Sequence, residues 1–365
     1  GFSLESASII GGNYTGGIVG HCFGDLYLSN LSFSGVVTGK EDVGGITSHA
    51  IYMDYCTVNA TVSGTYTVGG LAGVVDDAAF CRAEVDVSCL VGAGGIGGWV
   101  GTAYSCDVVG TITGEVTVGG IAGSSGNSYT YRNTISHCTS ACAVSGRTKV
   151  GGVVGRCAGI LLQDSVSGTV TAEEDYAGGI IGDGDTGQYD TCLSTAIVSG
   201  RDYVGGIAGY SKNGSFRACE SQGNVTGRDY AGGIAGHAYY SSIERCDFLG
   251  NISGNDYVGG ICGRIDGPDR LSIGWNGISI LDSFCRGNVI GHDYTGGIMG
   301  YFSAKVAKNL YFSGDVTASG AAVGAIAGNI ASGDVPEELL AGVFWDTQHC
   351  ALDQAVGVYD EAYYL

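Results

Sequence analysis

The sequence predicts an all-β chain: a parallel β-helix, or β-solenoid, of about twelve coils of 25–28 residues, each with three short strands, closed by a C-terminal cap. Three observations predict it. A Gly-Gly-aliphatic-x-Gly marker recurs along the chain. Its period is nearly constant. Other residue types hold fixed distances from it.

The first glycines of the marker are Gly16, Gly44, Gly69, Gly94, Gly119, Gly151, Gly178, Gly205, Gly232, Gly259, Gly296 and Gly324. The copies at Gly44 and Gly324 are imperfect. Successive markers lie 28, 25, 25, 25, 32, 27, 27, 27, 27, 37 and 28 residues apart. A period of this length marks stacked repeats, in which one unit cannot bury its apolar side chains alone and stacking creates the core. Helix pairs are excluded, because each glycine inside a helix costs about 1 kcal/mol. The segments between turns are rich in Val, Ile, Thr and Tyr, which suits short strands.

Each coil then divides into three segments: one around a cysteine, one ending in Val-x-Gly, and the Gly-Gly-Ile marker. The aliphatic residue after Gly-Gly, such as Ile207, Ile234 and Ile261, should point inward. So should the Val or Ile seven residues before the marker, such as Val62, Val198, Val225 and Ile252. Thirteen residues before the marker stands Cys56, Cys81, Cys106, Cys138, Cys192, Cys219 or Cys246, with Ser3, Leu31, Ser165 and Tyr311 in the same place elsewhere and Cys285 displaced by two. Cysteines stacked in register point the same way, so they read as small buried apolar residues and not as bridges. The off-column Cys22, Cys89, Cys142, Cys157, Cys262 and Cys350 leave room for one or two disulfides. The marker glycines should permit either close backbone approach or positive φ.

Residues 1–334 form the repeat array and 335–365 the cap, which carries Phe344 and Trp345 to cover the last rung and a short helix at Pro336–Ala341. The chain opens at Gly1 already in the pattern of the repeat, as a piece of a longer protein with neighbouring domains would. No signal peptide and no membrane span are visible.

The charge excludes one class of partner. With 36 acidic and 16 basic residues the net charge is −20, which repels a phosphate backbone, so no nucleic acid is expected. There is no CxxC pair among the 14 cysteines, hence no zinc ribbon or thioredoxin-type site. No glycine run is followed by Lys-Ser or Lys-Thr, so no phosphate loop is present. The acidic pairs Asp76–Asp77, Glu173–Glu174 and Asp183–Asp185 have no evident basic or His partner. No catalytic residue, metal ligand or cofactor is assigned.

The best-preserved units read GNVTGRDYAGGIAG from Gly223 and GNISGNDYVGGICG from Gly250. With the apolar-x-x-Cys that follows about ten residues later, they resemble the GLUG-motif repeat. The resemblance covers about Ile9 to Gly328, and Val343–Thr347 resembles the segment that often closes such arrays. It implies a bacterial secreted or cell-surface protein. GLUG repeats also occur as non-catalytic regions of immunoglobulin-A-cleaving metallopeptidases, but no His here is followed by Glu, as a His-Glu-x-x-His zinc helix requires. The expected function is therefore a non-enzymatic, adhesin-like binding module or stalk, with a host glycoprotein or carbohydrate as partner. A carbohydrate-active enzyme on a β-helix and a pure spacer are the alternatives.

Binding residues on such scaffolds usually lie in loops. The two long insertions offer Tyr129, Tyr131, Asp266 and Trp275, and the loop after Gly236 offers Tyr239 and Tyr240. Exposed aromatics beside carboxylates suit sugar or protein recognition. One further column, Asp175, Asp202, Asp229, Asp256 and Asp293, precedes a column of tyrosines. Stacked carboxylates repel, and either neighbouring Arg201 and Arg228 or a bound cation would relieve that.

Overall fold

The Gly-Gly-Ile marker is a corner. In the computed structural model, which describes residues 1–22, 24–126, 133–267, 278–331 and 340–360, Asp202–Gly205 and Ala208–Lys212 are strands, and Gly206-Ile207 turns the chain between them. A Cβ on Gly206 would collide with the carbonyl oxygen of Gly233 and the Oγ of Ser221. Close approach of stacked corners, and not positive φ, is what demands glycine here.

The chain is an all-β parallel solenoid of about twelve turns. It comprises two compact units: Gly1–Glu173 with Ile180–Asp183, and Glu174–Gly179 with Gly184–Leu365. In the first unit the three expected segments are visible as Thr57–Ser63, Tyr66–Gly69 and Ala72–Ala79. The next coil fuses two of them into Arg82–Gly94, followed by Gly97–Tyr104. Pairing is parallel and in register, with Val62 beside Val87 and Val87 beside Ile112. In the second unit the same path is cut into five shorter strands per coil, for example Leu193–Ser194, Ile197–Ser199, Asp202–Gly205, Ala208–Lys212 and Ser215–Arg217.

The inward columns form as the spacing predicts. Ile207, Ile234 and Ile261 have no solvent exposure, and Ile207 N–H donates to Ile234 O at 3.0 Å, as Ile234 does to Ile261 at 2.8 Å. Val198, Val225, Ile252 and Val289 line a second buried column. Each such side chain, fully buried, contributes about 1.5–3 kcal/mol.

All fourteen cysteines are free thiols, so none of the off-column ones is bridged. In the column each thiol donates to the carbonyl two residues before it: Cys56 to Asp54 at 3.3 Å, Cys81 to Ala79 at 3.3 Å, Cys219 to Arg217 at 3.5 Å. The residue between them has positive φ (50° at Tyr55, 53° at Phe80, 50° at Ala218). The left-handed residue makes the corner, and the thiol gives that corner's carbonyl a second donor. The fixed spacing misplaces three members of this column. Asp164, not Ser165, follows Cys138, because Thr139 pairs with Ser165. Before Gly296 the spacing itself holds, since Ser283, thirteen residues ahead of the marker, follows Cys246, and the displaced Cys285 belongs with Phe248 and Phe312 in another column. Leu310, fully buried, fills the place given to Tyr311. At the first coil Phe2, not Ser3, pairs with Leu31. One-residue differences in turn length shift the register, and burial of the correct side chain decides it.

Toward the C-terminus Leu340–Ala341 pairs with Ala307–Lys308, Phe344–Trp345 with Tyr311–Phe312, and Val356–Asp360 with Ala327–Ala331. The expected helix at Pro336–Ala341 falls mostly outside the described residues, and its last two residues are strand. Phe344 is 65% exposed, while Trp345 Nε1 donates to Leu352 O at 3.2 Å. Among the described residues no helix is long and apolar enough to cross a membrane.

Candidate functional site

Two surfaces, one on each unit, carry the chemistry-bearing side chains. On the second unit the Asp-Tyr-x-Gly-Gly sequence places the aspartates on one edge and the tyrosines beside them. Asp202, Asp229 and Asp256 are in register. Tyr176, Tyr203, Tyr230, Tyr257 and Tyr294 all have positive φ, between 51° and 67°. For a non-glycine residue this costs about 1–3 kcal/mol and needs compensation. Stacking supplies part of it. Successive rings lie 5.1, 4.8, 4.8 and 4.6 Å apart, at interplanar angles of 13° or less. Burial and the neighbouring tyrosines push the Tyr257 hydroxyl up to about 12.

A second column runs beside the tyrosines: Tyr210, His237, Arg264 and Tyr301, in register. Tyr210 meets Tyr203 edge-on at 6.1 Å, and the Arg264 guanidinium lies 4.9 Å from the Tyr301 ring centre. Asp266 closes the cluster. It is 8% exposed, and His237 Nε2 lies 2.8 Å from its Oδ1 while Arg264 Nη2 lies 2.6 Å from its Oδ2. Burial alone would raise the Asp266 carboxyl, but His237 and Arg264 outweigh it and hold it below the ordinary carboxylate range.

The structure thus brings three of the expected site residues together. The Tyr239 ring is 6.1 Å from His237 and 5.8 Å from Tyr240, and Tyr240 N–H donates to Asp266 O at 2.8 Å. Asp266 is a buried brace here. Tyr129, Tyr131 and Trp275 lie outside the described residues.

The acidic edge is largely neutralised from within. Arg201 reaches Asp175 at 3.0 Å and Asp202 at 3.4 Å. Arg228 reaches Asp202 at 2.6 Å and Asp229 at 3.1 Å. Each arginine bridges the aspartates of two successive coils. The tyrosine faces are likewise covered by their neighbours, so a sugar ring cannot stack on the interior members of that column.

The first unit carries an open surface. Tyr55, Phe80 and Tyr104 are 54%, 46% and 42% exposed, with ring centres 5.0 and 5.3 Å apart, and His137 continues the row at 5.3 Å from Tyr104. On the strands that follow these corners lies a concave polar stretch of about 490 Å³, lined by Ser34, Asn59, Thr61, Glu84, Asp86 and Val109. Asn59 pairs with Glu84, and Thr61 with Asp86. Glu84 and Asp86 stand on one strand two residues apart, so their Cα atoms are about 7 Å from each other and their side chains share a face. Sequence reasoning missed this aromatic row. Its signal was the residue just before a column cysteine, Tyr55 and Phe80, where an aromatic side chain stacks on the same corner one coil away.

Fold and surfaces together define a parallel β-solenoid with one self-stacked polar face and one open aromatic-and-polar face. No protein-family model, curated protein or solved structure matches the chain.

Proposed function

We propose that the chain is a non-enzymatic repeat scaffold of a bacterial surface or secreted protein, an adhesin-like binding module that presents a face to a carbohydrate or host glycoprotein. The observation that carries this reading is the exposed row Tyr55–Phe80–Tyr104, followed a few residues later along the chain by the polar stretch of Asn59, Thr61, Glu84 and Asp86. Rings supply apolar area, and the amide, hydroxyl and carboxylates supply directional hydrogen bonds, the combination a polyhydroxylated ligand requires. The resemblance to GLUG repeats supports the bacterial, extracellular setting and neighbouring domains in the parent chain.

A glycan and glycoprotein array tests it. Binding by the wild-type chain that is lost in the Tyr55→Ala/Phe80→Ala double variant supports the module. Absence of binding to every array member leaves a passive spacer. A second reading, a carbohydrate-active enzyme, draws on Glu84 and Asp86 in the concave stretch. Paired carboxylates cleave glycosidic bonds when they flank the bond from two sides, whereas these two stand side by side on one strand. Release of oligosaccharides from a polysaccharide by wild type, but not by Glu84→Gln, would replace the binding-module reading.

A further inference from the structure

The acidic edge of the second unit changes its counter-charge along the stack. Backbone hydrogen bonds place Arg201, Arg228, Asn255 and His292 at one position of successive coils: Arg228 N–H donates to Arg201 O, Asn255 to Arg228 O, and His292 to Asn255 O. Arg201, Arg228 and His292 each stand between the aspartates of their own coil and the one before, and Asn255 reaches Asp229 of the coil before at 3.4 Å. Two coils put a permanent cation there. The coil of Asp293 puts an imidazole, with Asp256 on one side and Asp293 on the other.

We propose that Asp256, His292 and Asp293 bind a divalent cation of the zinc class, which takes the place that arginine holds in the earlier coils. The two distances from the imidazole fit an ion better than a direct contact. His292 Nδ1 lies 3.4 Å from Asp256 Oδ1 and 3.5 Å from Asp293 Oδ2. A charge-assisted hydrogen bond would draw these atoms to about 2.7–2.9 Å. Ligand atoms each about 2.0–2.1 Å from a tetrahedral zinc ion are about 3.3–3.4 Å apart. One donor atom from each of the three residues falls within a 4.8 Å cluster.

The carboxylates are also held in place. Asp293 N–H donates to Asp256 Oδ1 at 3.2 Å, and Ala321 N–H donates to Asp293 Oδ1 at 2.7 Å. The second contact leaves Asp293 Oδ2 for the ion. Such outer contacts orient metal ligands. The donor set of one imidazole nitrogen and two carboxylates favours zinc or a similar transition ion over calcium, which takes six to eight oxygens. All three side chains are at least a third exposed, so water completes the coordination.

The test is calorimetric titration of the whole folded chain with zinc chloride, and separately with calcium chloride. Wild type should bind one zinc ion that His292→Arg does not bind. His292→Arg installs the residue native to this position two and three coils earlier, at Arg228 and Arg201, so its circular dichroism spectrum should match wild type. Asp256→Asn should weaken zinc binding at least about tenfold, since loss of even an outer-shell partner costs that much. No zinc binding by wild type, an unchanged isotherm in His292→Arg, or calcium binding as tight as zinc would each overturn the proposal.

Discussion

The backbone N–H of Cys138 donates to Oδ1 of Asp164 at 2.8 Å, and Asp164 has no solvent exposure. A carboxyl thus stands in a column otherwise built of thiols, one serine and apolar side chains such as Leu31 and Leu310. Among the described residues its Oδ2 has no partner. Burial raises the Asp164 pKa well above the usual carboxylate value, while hydrogen bonds at Cys138 and Leu162 only partly oppose that.

The consequence is a pH-dependent cost. A carboxyl whose folded pKa lies above its unfolded value of about 4 contributes fully only below pH 4, and that contribution is lost as pH rises toward the folded pKa. Asp164→Ser should therefore stabilise the chain by about 1–3 kcal/mol at pH 8, with the gain shrinking toward pH 4. Ser283 already plays the serine's part, accepting from Cys246 N–H at 3.1 Å and donating to Leu281 O at 2.7 Å. Thermal melts of both proteins from pH 4 to 8 check this, and a gain independent of pH would refute it.

The tyrosine column should respond to single truncations. Tyr230 stacks on Tyr203 and Tyr257, both at 4.8 Å. Tyr230→Ala removes both contacts and should cost about 1–3 kcal/mol. Tyr230→Gly should cost less by about 1 kcal/mol, because glycine adopts the φ of 55° at this position without strain. Denaturant unfolding of the pair measures the difference. Equal stability of the two variants would mean the left-handed backbone is not strained.

Asp266 has the opposite pH signature to Asp164. Its folded pKa is depressed, so its contribution is present above the unfolded value of about 4 and disappears as pH falls through the folded pKa. Asp266→Asn breaks the buried contacts to His237 and Arg264 and should cost about 3–5 kcal/mol at pH 7. The two proteins should draw together in stability as pH falls below about 4 and on through the depressed folded pKa, where the wild-type carboxyl becomes neutral too. A constant difference across that range would show that the charge is not what holds the cluster.

The thiols should be silent in the native chain. Of the fourteen, only Cys22 is partly exposed and the rest are buried. Burial pushes the thiols of Cys157, Cys262 and Cys285 up to about 12, further suppressing the reactive thiolate. A chromogenic thiol reagent at pH 8 should titrate about one group in native buffer and all fourteen in denaturant. Rapid reaction of several native thiols would contradict the packed column.

Much of the fold was legible because stacking repeats it. Ile207, Ile234 and Ile261 share one environment, so the same residue type recurs at one spacing and announces its burial. Asp164 was illegible for the complementary reason. One extra residue before Gly178 displaced it from the counted position, and only the pairing of Thr139 with Ser165 restored it. The site was half legible. Arg201 and Arg228 beside the aspartates could be read as counter-charges, but a linear sequence gave no reason to connect Tyr239, His237, Arg264 and Asp266.

The sequence by itself determined the parallel stack, its inward Ile, Val and Cys columns and its glycine corners, because each depends on local spacing repeated coil after coil. The tertiary structure alone decided which side chains are spent on one another. Whether Asp266 is a ligand-facing acid or a buried brace, and whether a tyrosine presents its face or hides it, depends on what stands one coil above and one coil to the side. Those neighbours are some 25 or more residues away along the chain, and only folding sets them a few ångströms apart.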